Sequence, residues 1–81
     1  IVTIQGVKYG FDPYTNQMLY GYQKVNGYYY YFDETTGQML TGWQRINGKY
    51  RYFKKSTGKM QRNKWIGKYY VNANGVRTKR K

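Results

Sequence analysis

The chain has no cysteine and no histidine. Disulfides, thiolate metal sites and imidazole acid–base chemistry are thereby excluded. Acidic residues are scarce: Asp12, Asp33 and Glu34 are all there are. Leu, Ile, Val and Phe together number 14 of 81 residues, against a net charge of +12. Composition of that kind borders on disorder. No run is long and apolar enough for a transmembrane helix, and none is organised like a signal peptide. The first residue is Ile1, in the middle of a repeated phrase, so a longer parent protein is expected.

Aromatic residues fill the gap left by the aliphatics. There are 12 Tyr and 2 Trp, and they recur in phase. Each aromatic buries a large area while a Tyr hydroxyl stays wet at the edge. That is enough to build a small folded array from few aliphatics.

The phase is a step of 21 residues. Gly6, Gly27 and Gly48 fall on it, as do Phe11, Phe32 and Phe53, and Met18, Met39 and Met60. A shorter fourth copy carries Trp65, Gly67, Tyr69, Tyr70, Val71 and Gly75. The copies run roughly 1–20, 21–41, 42–62 and 63–76. A period of this size means a stacked array in which no unit buries its own apolar face.

Within a copy the pattern is that of a hairpin. Asn26-Gly27 and Asn47-Gly48 sit between β-prone runs, and Asn-Gly suits a type I′ turn because both central residues need positive φ. Alternation places Tyr50 and Tyr52 on one face, with Lys49, Arg51 and Phe53 on the other. Tyr29 and Tyr31 face together in the copy before. No segment has helical spacing or a helix cap. The expected fold is all-β, a solenoid of stacked hairpins with Phe, Ile, Val and Met in the seams. The first copy has Lys8 and Gly10 where Tyr29 and Tyr31 stand later, and so lacks the aromatic face. The fourth copy's turn reads Ile66-Gly67. Residues 77–81 show no pattern and are expected to form a mobile basic tail.

The phrase from Gly42 to Phe53, closing at Thr57-Gly58-Lys59-Met60, resembles the cell-wall-binding and glucan-binding repeats of Gram-positive bacteria. That superfamily includes choline-binding modules, the glucan-binding domains of glucansucrases and the repeats of clostridial toxins. The resemblance covers residues 2–76. It implies a hairpin solenoid, a non-catalytic role without cofactor or metal, and an extracellular or wall-associated location. It also implies ligand grooves between consecutive hairpins. The first aromatic position of such a groove falls on Tyr22, Trp43 and Trp65. The second falls on Tyr29 and Tyr50. The third falls on Tyr52, then Tyr70, from the following hairpin. Tyr31 shares the aromatic face, and Gln23, Thr41 and Gln44 are the polar candidates. Tyr in place of a second Trp weakens a choline cage, because Trp is the best cation–π partner. A sugar suits the Tyr-rich groove better, through ring stacking and hydroxyl contacts. The run from Phe32 to Met39, followed by Gly-Trp-Gln, is also similar to the glucan-binding branch. An α-glucan or wall polysaccharide is the expected ligand, with choline or teichoic-acid phosphate as the alternative.

Each feature also has a plain structural reading. Aromatics fill seams, and Phe11, Phe32 and Phe53 are assigned there. Met18, Met39 and Met60 adapt to irregular packing, although a Met closes the cage in choline-type sites. Asp12 and Asp33 share one repeat position and hold turns, and Asp33-Glu34 is not a catalytic pair, since the third copy has Lys54-Lys55 in that place. The charge is one-sided: residues 45–81 hold thirteen basic and no acidic side chains. This is either a solvated face or a polyanion contact through Arg45, Lys49, Arg51, Lys54, Lys55, Lys64 and Lys68. Single-stranded nucleic acid is the remote alternative for a basic, Tyr-rich surface.

Overall fold

Turn stereochemistry sets the architecture. Asn26 and Gly27 have φ of 51° and 85°, and Asn47 and Gly48 have 52° and 80°. Both central residues are left-handed, as a type I′ hairpin requires. The structure, a computed structural model, describes all 81 residues and contains strands but no helix. The chain divides into two compact units, Ile1–Leu40 and Thr41–Lys81.

In the first unit, β1 (Val2–Ile4) and β2 (Val7–Tyr9) form one hairpin. A three-stranded sheet follows, with β3 (Gly21–Val25), β4 (Tyr28–Phe32) and β5 (Met39–Leu40) in that order. Tyr9 bridges Gln38, which sets the first hairpin beside the sheet. In the second unit, β6 (Gly42–Ile46) and β7 (Lys49–Phe53) pair as a hairpin. β8 (Lys64–Ile66), β9 (Tyr69–Val71) and β10 (Arg77–Arg80) form a sheet with β9 in the middle.

Two expectations are corrected here. Gly67 and Lys68, not Ile66 and Gly67, connect β8 to β9. Gly67 has φ of 59° while Lys68 is not left-handed, so a glycine at the first central position suffices. The five paired positions of β6–β7 shrink to three in β8–β9, which draws the turn inward. The second correction concerns residues 77–80, which are a strand and not a patternless tail. Asn72 forms the turn that brings them back: its Oδ1 accepts the N–H groups of Asn74 at 3.0 Å and Val76 at 2.9 Å.

Asp12 and Asp33 have the turn role assigned to them. The Asp33 carboxylate accepts the N–H groups of Thr35 at 2.8 Å and Thr36 at 2.9 Å. Asp12 does the same for Tyr14 at 2.8 Å and Thr15 at 3.0 Å. Hydrogen bonds to the charged form favour ionisation, so both carboxyls lie below their ordinary range. The Thr15 and Thr36 backbone N–H groups are the main causes.

Phe32, Phe53 and Val71 are fully buried, and Tyr30 and Ile46 nearly so. The end of the Phe32 ring lies over Gly10, where a Cβ would approach Phe32 Cζ to 2.5 Å. Gly10 is therefore fitted to its neighbour, and the first copy's missing aromatic has a packing reason. Met18 packs on Gly37, and Met60 on Gly75, in the same manner.

Candidate functional site

The second unit brings rings from three strands, β6, β7 and β9, together. Trp43 on β6 lies directly opposite Tyr52 on β7, so the two side chains share a face. Their ring centroids are 5.1 Å apart and the rings meet edge-on at 64°. Tyr69 on β9 meets Trp43 at 5.7 Å and 77°. Together these rings wall a groove of about 600 Å³, with Thr41 at its edge. Lys55 and Lys68 also line it.

A cation sits among the same rings. The Arg77 guanidinium lies 4.1 Å from the Tyr69 centroid, 4.2 Å from Tyr50 and 5.3 Å from Trp43. All three fall within cation–π range. Trp43, Tyr50 and Tyr69 thus form a three-ring cage around one positive charge.

Tyr70, expected as the third wall, is replaced by Tyr69. In the shortened hairpin Tyr70 lies opposite Trp65 and packs on it at 5.3 Å. Strand alternation then turns Tyr69, opposite Ile66, the other way. Trp65 is 43% exposed and stays with Tyr70, away from the cage rings. Lys79 lies 5.5 Å over Tyr70, and Lys81 lies 5.0 Å over Trp65.

The first unit arranges its aromatics differently. Tyr22 and Tyr29 stack on each other at 4.9 Å and 10°. Lys24 lies 5.7 Å over Tyr29, and Tyr31 lies opposite Tyr22 across the strands. Burial raises the Tyr31 hydroxyl above its ordinary pKa, with Glu34 and Asp33 adding to the effect. Stacking covers one face of each ring, so this pair offers a flatter surface than the cage.

The two glutamine candidates have a backbone duty. Gln23 Nε2 donates to the Tyr20 carbonyl at 2.7 Å, and Gln44 Nε2 to the Thr41 carbonyl at 2.8 Å. Of the seven basic candidates, Lys55 and Lys68 line the groove. Arg45 lies 5.8 Å over Tyr50, Arg51 Nε donates to the Asn74 carbonyl at 3.3 Å, and Lys64 Nζ donates to Gln61. Lys49 and Lys54 are exposed. Sequence reasoning missed Tyr69 and Arg77. No sequence signal marked Arg77, because the bulge between Arg77 and Lys79 sets it on the face opposite to the one plain alternation with Lys79 would give.

A choline-binding repeat profile matches residues 19–65. No curated protein sequence matches the chain significantly. The choline binding domain of Spr1274 from Streptococcus pneumoniae is 30% identical, with 96% of this chain and 92% of that one covered and a TM-score of 0.82. CbpJ from Streptococcus pneumoniae TIGR4 is 26% identical, with 95% of this chain covered and a TM-score of 0.84. The chain spans only 27% of CbpJ. Alternansucrase, solved in complex with isomaltononaose, is 26% identical over 93% of this chain and 6% of its own, with a TM-score of 0.51. These likenesses show the all-β hairpin-solenoid fold class expected from the repeat.

Proposed function

The chain belongs to the choline-binding repeat family, and from that premise we propose that it holds a larger exported protein on a wall polysaccharide. Repeats of this family are non-catalytic binding modules. The observation that carries the reading is the groove of about 600 Å³ in the second unit, which combines Trp43, Tyr52 and Tyr69 with Lys55 and Lys68. Aromatic walls suit the apolar face of a sugar ring, and the lysines suit phosphate along the polymer. A teichoic-acid-type glycan satisfies both. Repeated weak contacts supply retention through avidity.

A neutral α-glucan is the second reading, favoured by the likeness to alternansucrase solved with isomaltononaose. Affinity electrophoresis separates the two. Gels containing wall teichoic acid are expected to retard the protein, less so at higher salt, and Trp43→Ala is expected to weaken the effect. Equal retardation by dextran, unaffected by salt, would favour the neutral glucan. Unchanged mobility in both gels would end the proposal.

A further inference from the structure

We propose that Arg77 is an internal plug that occupies the Trp43–Tyr50–Tyr69 cage and closes it to quaternary ammonium ligands. The guanidinium uses ring faces that a choline headgroup would need. Its distances of 4.1 Å to Tyr69 and 4.2 Å to Tyr50 leave no space for a second cation on those faces. Arg suits the position because its planar group stacks on aromatic faces and keeps its charge across the accessible pH range.

The strand geometry delivers this side chain. β10 pairs with β9 through Arg77↔Val71 and then shifts register before Lys79↔Tyr70. A bulge of this kind re-aims the side chain beside it. The Asn72 turn returns the chain, and Arg51 anchors that turn through the Asn74 carbonyl. Arg77 is half-buried, consistent with a seated group rather than a free surface charge. Arg80, paired with Tyr69 and 5.8 Å over its ring, adds a second cation on the same face. The consequence is a shift in specificity. A cage that would accept choline carries its own cation, and the groove beside it is left for other ligands.

An intramolecular cation competes at an effective concentration on the order of millimolar. A choline headgroup of equal intrinsic affinity must exceed that concentration to displace it. Nuclear magnetic resonance titration of the 81-residue chain with choline chloride tests the plug, with the Trp43 indole N–H as reporter. Arg77→Ala is expected to give a saturable shift at an apparent Kd at least about tenfold lower than wild type, with Arg77→Lys in between. Equal Kd values for wild type and Arg77→Ala overturn the proposal, as does a folded Arg77→Ala that ignores choline. The wild-type protein gives a second readout should a variant fail to fold. The Arg77 Nε–H resonance is expected to be ring-current shifted and to return toward its free position at high choline. An unshifted Arg77 resonance in the free protein overturns the proposal. This test is independent of the polymer in the groove, so teichoic-acid binding can fail while the plug stands.

Discussion

Gly10→Ala tests the seating of Phe32. The new Cβ would lie 2.5 Å from Phe32 Cζ and 3.0 Å from both Cε atoms. Comfortable carbon contacts lie at about 3.5–4.0 Å, so the overlap is about 1 Å or more. Phe32 is fully buried and has no solvent-facing retreat. Overpacking of this kind costs about 1–3 kcal/mol. Gly10 is not left-handed, so alanine also gains about 0.4–1 kcal/mol by restricting the unfolded chain. A 2.5 Å approach to a buried ring belongs at about 2–3 kcal/mol of the overpacking cost, so the net expectation is a destabilisation of about 1–2.6 kcal/mol. For a domain of this size each kcal/mol moves Tm by about 4–8 °C. Thermal unfolding followed by circular dichroism reads the change directly. A Phe32→Leu partner removes the clash, so the double variant is expected to lose less than the two single costs combined. A Gly10→Ala protein as stable as wild type, or more so, would refute the steric reasoning and return Gly10 to a merely degenerate position.

Two further outcomes are expected. Backbone N–H groups hold the Asp12 and Asp33 carboxyls below their ordinary range, so each contributes stability that is fully present above the unfolded pKa of about 4. That contribution is lost as pH falls through the lower folded value. An acid unfolding curve that starts at about pH 4 and flattens in an Asp12→Asn/Asp33→Asn variant checks the sign, and an unchanged curve rejects it. Lys55→Gln with Lys68→Gln is expected to reduce the salt dependence of wall-polymer binding while leaving the circular dichroism spectrum unaltered. An unchanged salt slope would remove these lysines from the contact.

The legible part of the fold was the part determined locally. Asn-Gly needs no distant partner to specify its turn, and Asn26 and Asn47 take the left-handed conformation their hairpins require. Strand alternation then fixed which face Phe53 and Tyr52 would take, and Phe53 is fully buried. The cage was less legible because it depends on register. Shortening the fourth hairpin exchanged Tyr70 for Tyr69 by a single strand position. Arg77 was hidden for a different reason. Its rings come from β6, β7 and β9, and no local propensity encodes a strand that returns to them. Gly10 read as a lost aromatic because the ring that needs its space is more than 20 residues away.

The groove in the second unit makes a distinct demand on the two tryptophans. Trp43 lines it, while Trp65 packs apart with Tyr70. Nuclear magnetic resonance spectra of the two indole N–H groups during titration with teichoic-acid fragments therefore test the site most directly. A saturable shift of Trp43 with Trp65 unmoved is the predicted result. A shift confined to Trp65, or no shift at either indole while the polymer binds, would contradict it.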